Sequence, residues 1–205
     1  MEPWRLLYSA NQDGCFESRG ELDLVFLKNK NRYDVNHPPQ KSINLSLDEY
    51  LGSIRSPDKY SFWFDFKSVN QEDIHASLIK MNDLVKKYKL NKQKLVIESK
   101  NPTMLKLFKG YKYSTSYYLP TTHKDTTIIL KTRTIIHENG IDTVSTHADN
   151  LSYIQRHLKG IKSILLWAPE LNIDNKYHRV KIRKILLSDR RINVLLVRLD
   201  SKYYR

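Results

Sequence analysis

Glu21-Leu-Asp-Leu-Val-Phe26 is the segment from which both the fold and the site of this chain can be predicted. Its apolar residues alternate with polar ones, which is typical of a β-strand with one buried face. Because side chains alternate along a strand, Glu21 and Asp23 share the face opposite to the apolar residues. Two neighbouring carboxylates repel each other unless a positive charge lies between them. A divalent cation or a Lys or Arg from a neighbouring strand would supply that charge.

Two further extended segments follow this strand. Tyr33-Asp-Val-Asn36 leads to His37, directly before Pro38-Pro39, where regular strand pairing stops. Ser61-Phe-Trp-Phe-Asp-Phe-Lys-Ser-Val69 is a strongly apolar, aromatic strand on which Asp65 and Lys67 share one face. An acid and a base on so apolar a strand indicate either a metal site or a buried ion-pair cluster, and the residues alone leave both open.

In this combination the three segments resemble the glycerophosphodiester phosphodiesterase superfamily. His37-Pro-Pro39, followed by Leu45-Ser-Leu-Asp-Glu-Tyr-Leu51, is most similar to the menorin-type branch of that superfamily. The resemblance implies a parallel eight-stranded (β/α) barrel that holds Ca²⁺ or Mg²⁺ with carboxylates at the barrel mouth. It also implies cleavage of phosphodiesters by acid and base catalysis with a pair of histidines.

The resemblance implies a role for five residues. Glu21, Asp23 and Asp65 would be metal ligands, His37 would be the general acid or base, and Lys67 would contact the phosphate. Each residue also has a simpler interpretation: the acids and Lys67 could form an ion-pair cluster without metal, and His37 could be a loop histidine.

The start of the chain departs from the family pattern. Asn11 fits the menorin-like pattern and is expected to contact substrate, whereas Tyr8 occupies the place of the family's other catalytic histidine. An unperturbed phenol titrates near ~10, so Tyr8 would serve as a hydrogen-bond donor to phosphate rather than as a base. The connection from Asn11 to Glu21 is too short for a crossover helix. Either the first βα unit is degenerate or part of it is missing. The alternative function is therefore a barrel that binds an anionic phosphodiester without cleaving it.

Strand and helix patterns alternate along the rest of the chain, which predicts one α/β domain spanning residues 1–205. Short apolar strands separated by helices indicate a parallel sheet, and eight of them indicate a small, partly degenerate (β/α)8 barrel. The predicted strands are centred near Leu7, Leu24, Phe64, Val96, Tyr117, Val144, Leu165 and Leu196. Helices are predicted at residues 46–54, 70–88, 103–109, 121–139, 150–158 and 177–187. For residues 121–139 the β-branched residues favour a strand, but the alternation favours a helix.

Trp167 and a basic segment near the end of the chain each have two possible interpretations. Trp167, at the end of a predicted strand, would line the barrel mouth as an apolar wall for substrate, or simply pack at the rim of the core. The basic segment Tyr177–Leu187 would be a solvated helix or a contact with an anionic membrane surface.

Composition limits the partners and the compartment. The net charge of +13 over 205 residues favours an anionic partner. Nucleic acid is disfavoured because the basic residues are spread along the chain and no RNA-binding motif is present. Cys15 is the single cysteine, which excludes an internal disulfide and fits a reducing compartment. Since no apolar run approaches the ~20 residues of a membrane span and no signal peptide is recognisable, we expect a cytoplasmic protein.

Overall fold

The computed structural model describes residues 5–9, 18–119 and 126–198. These residues contain nine strands: β1 (Arg5–Ser9), β2 (Ser18–Leu27), β3 (Arg32–Val35), β4 (Ser61–Ser68), β5 (Leu95–Ser99), β6 (Ser114–Tyr118), β7 (Thr143–His147), β8 (Ser163–Asn172) and β9 (Ile192–Arg198). They also contain six α-helices: α1 (Leu47–Ser53), α2 (Ile74–Tyr88), α3 (Pro102–Gly110), α4 (Thr126–Glu138), α5 (Leu151–His157) and α6 (Lys176–Ser188). The predicted α/β class is confirmed.

The chain divides into two compact units. The first unit comprises Glu21–Thr115, and the second comprises Met1–Gly20 together with Ser116–Arg205. The single domain and the closed barrel that the sequence suggests stay predictions.

The first unit contains four strands that pair in the order β5-β4-β2-β3. β2 and β3 form an antiparallel hairpin closed by a 3-10 turn at Lys28–Lys30, and Asn31 in the left-handed conformation completes the turn. β4 and β5 are parallel, with Asp65 opposite Glu98. Trp63 and its neighbours on β4 fill the core, and the largest fully buried side chains of this strand are Phe62, Trp63 and Phe64.

Two helices of the first unit begin as their sequences predict. Ser46 and Glu49 form the predicted capping box at α1, because the Ser46 hydroxyl accepts a hydrogen bond from the Glu49 backbone N–H at 3.1 Å and the Glu49 carboxylate accepts one from the Ser46 N–H at 2.8 Å. Asn101 caps α3 by accepting a hydrogen bond from the Met104 N–H at 3.1 Å, and Pro102 occupies the first helical position.

The start of α2 differs from its prediction. Asn70 precedes a 3-10 turn at Gln71–Asp73 and its side chain forms no capping hydrogen bond, so the α-helix begins only at Ile74. The apolar stripe of the helix is nevertheless buried as its spacing predicts, with Leu78 and Met81 at its centre.

The second unit contains five strands that pair in the order β1-β9-β8-β7-β6, together with the helices α4, α5 and α6. Strands β6 to β9 are parallel to one another. The segment 126–138 is helical. The alternation of strands and helices predicted this helix, whereas the β-branched composition of the segment favoured a strand. The position of a segment between two parallel strands therefore outweighed its intrinsic propensity.

The prediction of an all-parallel sheet is wrong in two places. β1 pairs with β9 in the antiparallel direction, with Tyr8 opposite Leu195, and β3 adds an antiparallel strand beside β2. A parallel connection needs a crossover of about a dozen residues or more. The turn between β2 and β3 is too brief for one, so these two strands run antiparallel. The strand pairing thus includes both parallel and antiparallel pairs.

Within the described part of the chain, no helix combines the length and the apolar character that crossing a bilayer requires.

Candidate functional site

Three carboxylates converge at the middle of the sheet in the first unit. Glu21 and Asp23 lie on β2, and Asp65 lies on the neighbouring strand β4. Along β2, Leu22, Leu24 and Phe26 are buried while the two acids are half-buried, so the predicted sharing of one face is confirmed. Each acid offers one oxygen that lies within 4.8 Å of an oxygen of the other two. This spacing would allow a single cation to contact all three side chains.

Lys67 lies among these carboxylates. Its Nζ is 2.8 Å from Asp23 Oδ1 and forms a second ion pair with Asp65 Oδ2. Although burial acts to lower it, the pKa of Lys67 is raised well above its ordinary value by Asp65 and Asp23, so the ammonium is charged at neutral pH. Burial raises the pKa of the Asp65 carboxyl, and Lys67 opposes that shift.

His37 reaches the same cluster from the end of the hairpin. Its Nδ1 is 2.7 Å from Asp23 Oδ2, and its side chain is 53% exposed. The backbone brings the two together, because the Asn36 N–H donates to the Asp23 carbonyl oxygen at 3.0 Å. When Asp23 accepts the Nδ1 hydrogen, the Nε2 atom carries the free lone pair. Asp23 is thus the residue that contacts both Lys67 and His37.

Glu98 on β5 is a fourth carboxylate that the sequence interpretation did not assign to the site. It faces Asp65 across the parallel pair β4 and β5 and is 1% exposed. The Trp63 indole N–H donates to its Oε2, while its Oε1 has no hydrogen-bond partner among the described residues. Burial, followed by the charges of Asp65 and Glu21, raises the pKa of Glu98 well above its ordinary value. The signal in the sequence is an acid inside the otherwise apolar strand Leu95–Ser99.

The donor set of this cluster fits a hard divalent cation. Ca²⁺ and Mg²⁺ prefer carboxylate oxygens, and the three acids Glu21, Asp23 and Asp65 provide them. Lys67 brings one positive charge into this group. Glu98 Oε1 is, in addition, a buried acceptor without a described partner, and such atoms are rare in native proteins unless an ion or water satisfies them.

The other predicted site residues are Trp167, Tyr8 and Asn11. Trp167 is on β8 in the second unit, half-buried, with its ring centroid 5.1 Å from that of Tyr118. Tyr8 is on β1, where the structure describes the backbone but not the side chain, and Asn11 lies outside the described residues. The roles proposed for these three residues stay predictions.

A second polar cluster surrounds His147 at the end of β7. Its Nε2 is 3.2 Å from Glu170 Oε2, and its Nδ1 is 3.3 Å from Asp149 Oδ2. Both carboxylates are mostly exposed, so water screens these pairs and they need no functional explanation.

Comparison with known proteins finds solved structures that are similar to this chain. No family model and no curated protein match the sequence. A crystal structure of a glycerophosphodiester phosphodiesterase from Parabacteroides distasonis superposes with a TM-score of 0.57 at 15% identity, over 90% of this chain and 80% of the other.

Two proteins assigned as phosphodiesterases of the same kind are similarly close. The one from Galdieria sulphuraria gives a TM-score of 0.55 at 16% identity, over 87% of this chain and 79% of its own. The one from Silicibacter pomeroyi gives 0.55 at 11% identity, over 80% and 76%. The chain therefore shares its fold with these three structures, whereas its place in the menorin-type branch stays a prediction.

Proposed function

We propose that this chain is a phosphoric diester hydrolase that requires Ca²⁺ or Mg²⁺ and acts on a glycerophosphodiester or a related phospholipid or glycan phosphodiester. One observation carries the proposal: Asp23 contacts His37 and Lys67 at the same time, within a group of carboxylates suited to a cation. The fold shared with glycerophosphodiester phosphodiesterases supports it. Closure of the sheet into a (β/α)8 barrel belongs to the same proposal.

Glu21, Asp23 and Asp65 would hold the cation. A cation held there would supply positive charge that stabilises the negative charge developing on the phosphate.

Lys67 supplies positive charge from the chain itself. Its ammonium is mostly buried beside two carboxylates and stays protonated at neutral pH. Held in place by Asp23 and Asp65, it provides a fixed donor for a phosphate oxygen, and a pre-oriented charge in a partly desolvated site stabilises developing negative charge more than a mobile one does.

His37 moves the proton. Asp23 Oδ2 accepts the hydrogen bond from Nδ1, which fixes the imidazole orientation and leaves Nε2 directed away from the carboxylate. As a base, Nε2 removes the proton of the attacking hydroxyl. As an acid, it donates a proton to the leaving alkoxide. The ring is half-exposed, so a substrate can reach it.

A second candidate function is binding without cleavage. His37 is the one imidazole that the described residues place at the carboxylate cluster, whereas cleavage requires a second proton carrier. Tyr8, at the sequence position of the other catalytic histidine, favours this alternative because a phenol is a weak base at neutral pH.

The deciding experiment measures hydrolysis of bis-p-nitrophenyl phosphate and of glycerophosphodiesters with Ca²⁺, Mg²⁺ or EDTA. We expect turnover with a divalent cation, no turnover with EDTA, and a loss of at least about 100-fold in kcat for His37→Ala. Glu21→Gln should lose the response to cation, because one ligand charge is removed.

The matched controls are His75→Ala and Glu72→Gln, which alter exposed residues of the same types near the start of α2 and should retain full activity. Turnover that EDTA leaves unchanged would contradict the role of the cation. If no cation supports turnover but a glycerophosphodiester still raises the melting temperature of the wild type and not of Glu21→Gln, the chain binds without cleaving.

A further inference from the structure

Helix α6 (Lys176–Ser188) exposes large apolar side chains to solvent. Ile182 is its one fully buried residue among those described, whereas Tyr177 is 80%, Val180 54% and Leu187 75% exposed. Exposed apolar side chains are common singly, but a group of three on one short helix indicates a surface that contacts something.

The three exposed residues form a stripe. At 3.6 residues per turn, Tyr177, Val180 and Leu187 fall within an arc of roughly 80°, and Ile182 lies on the opposite side of the helix. α6 therefore has two apolar stripes: one faces its own protein through Ile182, and the other faces outward.

Basic residues border the outward stripe on both sides. Lys181 lies on one flank and Lys176 and Arg183 lie on the other, whereas Lys184 falls between Val180 and Tyr177 within the arc. The helix contains no acidic residue. Within the described ranges, none of these four cations forms an ion pair with a carboxylate, so their charge is available to a partner.

We propose that α6 is a docking surface for an anionic lipid bilayer, on which the helix lies parallel to the membrane plane. Tyr177, Val180 and Leu187 would enter the boundary between headgroups and acyl chains, while the flanking Lys and Arg side chains contact anionic headgroups. An apolar stripe with basic flanks is the pattern of interfacial helices. Binding of a nucleic acid would use the basic residues alone and would gain nothing from the apolar stripe. This inference is independent of catalysis by the carboxylate cluster.

The test is cosedimentation of the full chain with vesicles of phosphatidylcholine alone and with vesicles of equimolar phosphatidylcholine and phosphatidylserine. We expect binding to the anionic vesicles only. Val180→Gln/Leu187→Gln, which leaves the net charge unchanged, and Lys181→Gln/Lys184→Gln should each weaken that binding by about tenfold or more. All four side chains are exposed, so the fold should tolerate these changes.

Two controls on helices of the first unit complete the design. Ile79→Gln removes an apolar side chain that is 63% exposed on α2, and Lys86→Gln/Lys106→Gln removes two exposed cations from α2 and α3. Both should bind like the wild type. Equal weakening by Lys86→Gln/Lys106→Gln would overturn the proposal, because binding would then follow total charge. Vesicle binding that Val180→Gln/Leu187→Gln leaves intact, or tighter binding to a duplex oligonucleotide than to anionic vesicles, would also overturn it.

Discussion

Replacing Glu98 by Gln should change how the stability of the protein depends on pH. In the unfolded chain a glutamate titrates near ~4.3. In the folded protein, burial and the charges of Asp65 and Glu21 raise the pKa of Glu98 well above that value. Between the two pKa values the folded protein therefore holds a proton that the unfolded chain releases.

The magnitude follows from proton linkage. The favourable contribution of protonated Glu98 is fully present below the unfolded pKa and decreases as the pH rises towards the folded pKa. The free energy of unfolding loses about 1.4 kcal/mol for each pH unit in that window. Glu98→Gln removes this titration but keeps an acceptor for the Trp63 indole N–H. The stability of the variant relative to the wild type should thus rise with pH, by about 1.4 kcal/mol for each pH unit, between the unfolded and the folded pKa of Glu98.

Urea unfolding followed by tryptophan fluorescence, in EDTA so that no cation competes for the carboxylates, would measure this difference. Glu72→Gln is the matched control, because it makes the same substitution at an exposed position outside the carboxylate cluster. A Glu98→Gln difference that is constant across the same window would refute the reasoning, because Glu98 would then titrate alike in the folded and unfolded states.

Three further predictions concern other charged or capping residues. Lys67→Gln should lower the free energy of unfolding by about 3 kcal/mol in EDTA, because two carboxylates lose their partner. Ca²⁺ should restore part of the lost stability, and urea titrations with and without Ca²⁺ would measure both effects. Ser46→Ala should cost about 1 kcal/mol through loss of the capping box, measured by thermal unfolding, with Ser53→Ala as a control outside the cap. Arg191 lowers the pKa of Asp189, so this carboxylate stabilises the fold above the unfolded pKa of ~3.9 and ceases to do so as the pH falls through its folded value. Asp189→Asn should therefore lower the free energy of unfolding by about 1 kcal/mol or less at pH 7, and should not lower it at a pH below the folded pKa of Asp189.

The part of the site on β2 was predictable because the strand itself determines it. Alternation along residues 21–26 places Glu21 and Asp23 on one face whatever the tertiary structure is. The same rule joins Asp65 to Lys67 on β4, and their ion pair is observed. Both alternatives considered for the paired acids, a Lys and a cation, remain chemically compatible with the cluster.

Glu98 could not be predicted in the same way. Its importance depends on the pairing of β4 with β5, which places it opposite Asp65, and strand order is a property of the whole sheet rather than of either segment. The direction of β1 escaped prediction for the same reason, since β1 pairs with the most distant strand in the sequence, β9. Local sequence patterns therefore predicted the strands and helices and the side chains on each face. The pairing of strands that are distant in sequence could not be predicted from those patterns.

The contact between Asp23 and His37 depends on the register of a single hairpin. Leu24 pairs with Val35, and the Asn36 N–H bonds to the Asp23 carbonyl, so the three-residue turn at Lys28–Lys30 sets the distance between the two side chains. A shift of one residue in that pairing turns every side chain of a strand to its other face. Inserting or deleting one residue in this exposed turn would thus separate the carboxylate from the imidazole while leaving both residues in the sequence. Among relatives of this chain, the number of residues between the acid and the histidine is therefore as informative about chemistry as the two residues themselves.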